Sequence, residues 1–124
     1  MRTIIAAFLL MNSAFCFGQK AEFFVDKATH KFPKTPEGPT IYHDYHIANL
    51  GTDTLVISNY KVACTCTKIT LPAPVPPGDS AVIHLEFDTK GKYYQQDRSI
   101  FLYTNTLKGT ETLRFKVFVE PKEE

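Results

Sequence analysis

Apolar and polar residues alternate along three segments of the chain, PTIYHDYHIAN at residues 39–49, SAVIHLEFD at 80–88 and ETLRFKVFV at 111–119. Because successive side chains of a β-strand point to opposite faces of its sheet, each segment is predicted to be a strand with one buried face. Such strands are typical of antiparallel sheets that pack one face on a core. The predicted inward residues are Ile41, His43, Tyr45, Ile47, Ile83, Leu85, Phe87, Leu113, Phe115, Val117 and Val119.

Three shorter segments, EFFVD, LVISNYKV and RSIFLYT, bring the prediction to about seven short strands. Turn-forming residues separate the strands, in NLGTD, PAPVPPGD, DTKGK and NTLKG. This spacing indicates an all-β fold, an immunoglobulin-like two-sheet antiparallel β-sandwich of about seven strands, with no helix. The stiff, proline-rich PAPVPPGD is predicted to cross from one sheet to the other.

The first eighteen residues have the layout of a secretory signal peptide. Arg2 precedes an apolar run from Ile4 to Met11, and this run is shorter than the roughly 20 residues that span a bilayer. Cleavage after Gly18 would leave a mature domain of residues 19–124, exported to the periplasm or the cell surface. The alternative, a lipid on Cys16, is disfavoured because the residue before a lipidated cysteine is normally small and Phe15 is large.

The charge of the mature domain excludes two classes of partner. Residues 1–18 hold one of the 14 lysines and arginines and none of the 13 acidic residues, so the remaining chain has a formal net charge of zero. A protein that binds nucleic acid or an anionic membrane surface needs a strongly basic face. No second apolar segment is long enough to span a membrane. We therefore predict neither a nucleic-acid partner nor a transmembrane segment after signal removal.

Three motif-bearing segments resemble a known family: LVISNYKVACTCTKITLP, PPGDSAVIHLEFDTKG and RSIFLYTN. The chain is similar to the exported bacterial domain-of-unknown-function family fifteen-seventy-three. The matching positions are Cys64, Cys66, Thr67, Pro77, Gly78, Phe87, Asp88, Thr89, Thr104 and Asn105. The resemblance implies an immunoglobulin-like sandwich related to ciliary and major-sperm-protein-like domains, and it implies no particular biochemical activity. The chain departs from the family pattern at two places. Thr65 stands where the family usually has glycine, and Tyr94, Gln95 and Gln96 replace a shorter and more glycine-like entry to the next strand.

Cys64 and Cys66 are one residue apart in VACTCTKI, and two interpretations of them stay open. On a regular strand both would face one side, with Cα atoms about 6.5–7 Å apart, at the limit of what a disulfide spans. A structural pair with a weakly stabilising, reversible disulfide is then expected, and closing it would need a kink. The alternative is a periplasmic copper site, in which the two thiolates and His43, or His30, bind the metal. We predict no cofactor for the structural interpretation.

The sequence offers no catalytic set, since it lacks the usual hydrolase, metalloprotease and phosphate-binding motifs. We predict that the protein is not an enzyme. Phe101 and Tyr103 are predicted to point outward, as is Phe118, which alternates with Arg114 and Lys116. Exposed aromatic residues beside basic ones are typical of protein contacts, although cross-strand pairing within the sheet would explain them equally well.

These observations predict an exported, non-catalytic binding or assembly module of the bacterial cell envelope, with an unidentified protein partner. Strand addition at an exposed sheet edge is a second way in which such a module could bind its partner. The alternative function is the periplasmic copper-binding protein described above.

Overall fold

The computed structural model describes residues 20–122, and this part of the chain contains nine β-strands and no helix. The all-β class and the two-sheet sandwich are confirmed. The strands are β1 (Phe23–Val25), β2 (Thr29–Lys31), β3 (Thr35–Pro36), β4 (Thr40–Asn49), β5 (Ile57–Val62), β6 (Thr67–Thr70), β7 (Ser80–Asp88), β8 (Tyr94–Thr104) and β9 (Thr110–Glu120). The additional strands β2, β3 and β6 have two to four residues, too few for alternation to reveal them.

The first sheet has the strand order β1-β4-β7-β6, and the second has the order β2-β9-β8-β5, with β3 also paired to β9. This arrangement is that of immunoglobulin-like domains, in which a four-stranded sheet packs against a second sheet that contains the last two strands of the chain. The prediction of purely antiparallel sheets was wrong at one point, because β2 and β3 run parallel to β9. The chain crosses from the first sheet to the second after β1, and β2 then runs beside β9 in the same direction.

The predicted alternation of β4, β7 and β9 is confirmed by burial. Ile83, Leu85 and Phe87 of β7 are fully buried, and the inward residues of β9 lie opposite them in the core. Tyr45 of β4 is also buried, and its hydroxyl donates a hydrogen bond of 2.6 Å to the Arg114 carbonyl oxygen in the second sheet. Burial raises the pKa of the Tyr45 phenol above its ordinary value. The core therefore holds the sheets together by apolar contact and by this hydrogen bond.

The proline-rich segment PAPVPPGD does not cross between the two sheets. The proline-rich segment connects β6 to β7, which are neighbours in the first sheet, so its predicted role was wrong. The chain changes sheets at five other connections, between β1 and β2, β3 and β4, β4 and β5, β5 and β6, and β7 and β8. At the connection between β5 and β6, residues 63–66 pass from the second sheet to the first. Parity along the chain changes there, since Tyr60 and Val62 pack on the core but so do Thr67 and Ile69. A continuous strand could not bury both sets of side chains.

The predicted signal peptide of residues 1–18, the mature start at Gln19 and the lipidation alternative at Cys16 all lie outside the described residues. Within residues 20–122, no helix is long and apolar enough to cross a membrane.

Candidate functional site

Cys64 and Cys66 lie in the crossing between β5 and β6 and are joined by a disulfide. The strand geometry predicted for them was wrong. The turn brings their Cα atoms to 5.1 Å, well inside the range that a disulfide spans. The Cys66 N–H donates a hydrogen bond of 3.2 Å to Cys64 Sγ, and the Cys66 carbonyl oxygen accepts one of 2.9 Å from the Asp88 N–H. The predicted kink is therefore a turn anchored to the end of β7. Thr65, where the family usually has glycine, has no positive φ, so threonine fits this turn.

The three predicted copper ligands are not assembled in this structure. Both cysteine sulfurs are bonded to each other, and a disulfide offers no thiolate to a metal. His43 lies on β4 and stacks on His30 of β2, with ring centroids 3.5 Å apart. Across the described part of the chain, no group of three or more histidine, cysteine, aspartate or glutamate side chains is placed to hold a metal ion.

The His30–His43 stack connects the two sheets, because His43 lies on β4 of the first sheet and His30 lies on β2 of the second. The rings are nearly parallel, at 9°, and each meets a further aromatic ring edge-on: His30 meets Phe32, and His43 meets Tyr45. Burial, and then the charge of Lys27, lower the pKa of His30 below its ordinary value.

Burial also lowers the pKa of His43, with smaller contributions from His30 and His46 in the same direction. The carboxylates of Asp44 and Asp26 oppose this shift and do not overcome it. Both pKa shifts therefore favour the neutral form of the imidazoles in the stack.

Acidification is expected to destabilise the protein through this stack. Both pKa values lie below the unfolded value of 6.5, so the unfolded chain binds protons first, and stability is complete above that pH and falls as the pH drops below it. Thermal unfolding between about pH 8 and pH 5 measures the effect. The double variant His30→Phe/His43→Phe keeps two aromatic rings and removes both protonation sites, so its melting temperature should fall less on acidification than that of the wild type.

The control for this experiment is His84→Gln. His84 lies on the outer face of the first sheet, where its Nδ1 is 2.6 Å from an Asp44 oxygen. This variant should retain the acid sensitivity that the stack contributes. Equal acid sensitivity in the wild type and the double phenylalanine variant would contradict the assignment to His30 and His43.

The predicted contact residues Phe101 and Tyr103 lie on the outer face of the second sheet, on β8. Their exposed fractions are 45% and 40%. On the neighbouring strand β5, Lys61 is paired with Phe101 and Asn59 with Tyr103. We call these four residues the β8 patch. Among the described residues, β5 is the last strand of its sheet, and the isolated bridge of Leu55 to Val75 lies before it, so the patch adjoins an unpaired strand edge.

Phe118 does not belong to the β8 patch. Phe101 lies opposite Thr112, whereas Phe118 lies opposite Gln95, six residues earlier on β8 and therefore about 20 Å away. Arg114 occupies the space between, and its guanidinium donates two hydrogen bonds of 2.6 Å to Asp97. The hydrogen bonds that Arg114 donates hold the pKa of the Asp97 carboxyl below its ordinary value.

At the far end of this sheet, Phe118 is grouped with other residues. The Tyr94 ring lies 6.1 Å from its ring, and the Lys34 ammonium lies 5.7 Å from its centroid. Tyr94 has a positive φ of 68°, a backbone conformation that suits the glycine-like entry of the family better than tyrosine. Lys116 lies on the same outer face, in register with Asp97. The structure thus divides the single surface predicted from sequence into two.

The residues that match the family motifs mostly secure loops. Thr89 is fully buried, and its hydroxyl donates to the Pro39 carbonyl oxygen at 2.6 Å and accepts from the Gly38 N–H at 2.9 Å. The Asn105 side chain bonds to the backbone of Thr54 and Val56, each at 2.8 Å. These motif residues connect loops at the ends of the sandwich, which is a structural role.

Asn49 is a buried polar residue that the sequence interpretation missed. Its side-chain amide donates to the carbonyl oxygens of Asp53 and Val75, at 2.7 and 2.9 Å. Its side-chain oxygen accepts from the N–H groups of Gly51 and Glu22, at 2.9 and 3.2 Å. One asparagine thus joins the segment before β1, the turn after β4 and the proline-rich segment. The only signal in the sequence was its place at the start of the turn NLGTD.

Comparison with known families decides the relationship of the chain. The profile described as "Protein of unknown function (DUF1573)" matches residues 23–119, which include both sheets and the disulfide. The chain belongs to the DUF1573 family. This is the family whose resemblance the cysteine, Phe87–Thr89 and Thr104–Asn105 motifs indicated. No curated protein matches this DUF1573 chain.

Solved structures show the same fold at low sequence identity. A Porphyromonas gingivalis W83 protein of unknown function is 16% identical with a TM-score of 0.68, over 83% of this chain and 48% of that one. The ASH/PapD-like domain 7 of human CEP192 is 16% identical with a TM-score of 0.56, over 86% and 88%. The C. elegans MSP family member WR4 is 11% identical with a TM-score of 0.52, over 78% and 96%. The DUF1573 chain spans less than half of the P. gingivalis protein, and these similarities establish the fold alone.

Proposed function

We propose that this DUF1573 protein is an exported, non-catalytic module that binds a protein partner in the bacterial cell envelope. The observation that carries the proposal is the β8 patch, in which Phe101 and Tyr103 are exposed on a sheet that is otherwise polar around them. Aromatic residues of this kind bury a large area on binding at a low cost in side-chain entropy. The signal-peptide layout of residues 1–18 supports export.

The place of the patch favours an extended segment as the bound element. β5 ends the second sheet, so a partner strand could pair with its free edge. The strand β8 continues through residues 94–99, beyond the part that pairs with β5. A partner strand on the edge of β5 would lie two strand spacings, about 10 Å, from β8. Long side chains on its outer face could then reach across β5 to Phe101 and Tyr103, while its main chain would form hydrogen bonds with β5.

The double variant Phe101→Ser/Tyr103→Ser is expected to lose its partner and keep its fold. Two aromatic residues at the centre of an interface contribute enough binding free energy that capture should weaken at least about tenfold. The measurement is cross-linking in the intact host, affinity capture of the tagged full chain from the cell envelope, and quantitative mass spectrometry of the co-purified proteins.

A control exchanges two exposed aromatic residues of the first sheet, Phe24→Ser/Tyr42→Ser. Specific partners should be depleted by the β8 patch variant and retained by this control, while both variants melt within a few degrees of the wild type. Equal capture by both variants would contradict the contact role of the patch. A collapse in the thermal stability of the Phe101→Ser/Tyr103→Ser variant would show that the two rings stabilise the sheet instead. Recovery of the unprocessed chain from the cytoplasm would contradict export.

A further inference from the structure

We propose that the Cys64–Cys66 disulfide is a reversible thiol–disulfide exchange site, in which a dithiol attacks Cys66 and Cys64 is the leaving sulfur. The proposal does not depend on the β8 patch or on its partner. It rests on the small ring that the disulfide closes, on separate openings beside the two cysteines, and on hydrogen-bond and charge stabilisation on one side of the bond.

The disulfide contributes little to the stability of the fold. It links two residues with only Thr65 between them. A disulfide stabilises a fold mainly by lowering the conformational entropy of the unfolded chain, and this effect grows with the length of the loop that it closes. The backbone of the crossing is also held without it, because the Cys64 carbonyl accepts from Thr67 N–H and the Cys66 carbonyl accepts from Asp88 N–H. The bond can therefore be opened without unfolding the sandwich.

Each cysteine borders a different opening. Cys66 lines a small cavity of about 160 Å³ together with Thr65, Lys68 and Glu86, on the side of the first sheet. Cys64 lines a second cavity of about 290 Å³, on the side of β8, together with Arg98 and with Asp97, whose carboxylate is paired with Arg114. Both cysteines are partly exposed. A thiolate can thus approach Cys66 from one side while Cys64 is displaced toward the other, as the in-line course of exchange requires.

The Cys64 side is built to hold negative charge. The Cys66 N–H already donates to Cys64 Sγ, and that hydrogen bond strengthens when the sulfur becomes a thiolate. Arg98 points inward over the Phe87 ring, at 5.9 Å from its centroid, and its Nη2 donates to Gln96. Its Nε is buried and has no hydrogen-bond partner among the described residues. Arg98 lines the same cavity as Cys64. A guanidinium cation in the surroundings of a thiol favours the thiolate, and a better-stabilised thiolate leaves faster.

The exchange balances without any further reactant. One thiolate of the dithiol bonds to Cys66 Sγ, the Cys64–Cys66 bond breaks, and the bonding electron pair leaves with Cys64 as a thiolate. The second thiol of the reagent loses its proton and attacks the reagent's first sulfur, which is bonded to Cys66 in the mixed disulfide. This step releases Cys66 as a thiolate, which takes up a proton. The protein gains two electrons and the reagent ends as a disulfide.

The test uses the oxidised full chain under native conditions, with dithiothreitol and reduced thioredoxin as a small and a protein dithiol. We expect the disulfide to be reduced while the protein stays folded, either by both dithiols or by dithiothreitol alone. Alkylation of the free thiols and mass spectrometry measure the reduction. Reduction with both supports a protein dithiol as the co-reactant, and reduction with dithiothreitol alone supports a small one. Reduction that occurs only at denaturant concentrations that unfold the chain would overturn the proposal.

Brief reaction with glutathione, followed by alkylation and peptide mapping, identifies the attacked sulfur. Glutathione is expected on Cys66 and the alkyl group on Cys64, and the reverse distribution would overturn the assignment. Arg98→Gln should slow reduction roughly three- to tenfold, as expected when the leaving thiol becomes more basic, and Arg98→Lys should restore part of the rate. Glu86→Gln removes an anion from the Cys66 cavity and should accelerate it. An unchanged rate in Arg98→Gln would remove arginine from the mechanism.

Discussion

Replacing Asn49 by alanine is expected to lower the free energy of unfolding by about 3–4 kcal/mol. The substitution removes four hydrogen bonds at once. The N–H groups of Gly51 and Glu22 and the carbonyl of Asp53 lose their Asn49 partner, whereas the Val75 carbonyl keeps its hydrogen bond from the Leu55 N–H. Each such orphaned group costs about 1–3 kcal/mol where water cannot replace the lost partner. Chemical denaturation with urea measures the change, and the melting temperature should fall by about 15 °C or more.

Asn59→Ala is the matched control for this prediction. Asn59 is exposed on β5, and its side-chain oxygen accepts only from the N–H of the next residue, Tyr60. Its replacement should change stability by less than about 0.5 kcal/mol. A change of less than about 1 kcal/mol in Asn49→Ala would show that water replaces the lost amide, and that the three segments do not depend on this side chain.

Replacing Phe87 by alanine is expected to cost about 3–5 kcal/mol, the range for deleting a buried phenylalanine. Phe87 is fully buried at the end of β7, and its ring lies 5.0 Å from the Phe115 ring in the facing sheet. It also supports the guanidinium of Arg98. The deletion therefore opens a cavity between the sheets and leaves a cation without the ring on which it rests. Calorimetry and urea denaturation of the purified domain measure the loss.

Phe101→Ala is the matched phenylalanine control, since this ring is exposed on the outer face of the second sheet. It should cost less than about 1 kcal/mol. Similar losses in the two variants would contradict the division of phenylalanines between core and surface. Phe87→Leu keeps an apolar side chain, so it should recover more than half of the stability lost in Phe87→Ala.

Long strands could be predicted from the sequence because burial on one face requires alternation over many residues. The inward residues of β4, β7 and β9 follow this rule throughout their length. The strands β2 and β3 escaped prediction because they are held by pairing with β9 rather than by a pattern of their own. Their parallel direction follows from the path of the chain after β1, which local sequence does not encode.

The candidate site was predictable only in its residue types. Alternation correctly placed Phe101, Tyr103 and Phe118 on an outer face, but the distance between the two groups depends on the register of β8 against β9. In the same way, His43 was a candidate ligand beside the cysteines only in the alternative copper interpretation, and the structure stacks it on His30. Both outcomes depend on residues far apart in the chain, so a single segment cannot predict them.

The amino-acid sequence by itself determined the all-β class, the inward faces of the long strands and the family, because each depends on local periodicity or on short motifs. The tertiary structure alone decided where the chain changes sheets, which histidines meet and how Cys64 and Cys66 are joined. These features depend on how the strands of the two sheets pack around one shared core. The segment VACTCTKI looks like one strand by alternation. It must turn because Val62 packs, partly buried, against the core and Ile69 is buried in the same core, whereas a continuous strand would point the two side chains to opposite faces.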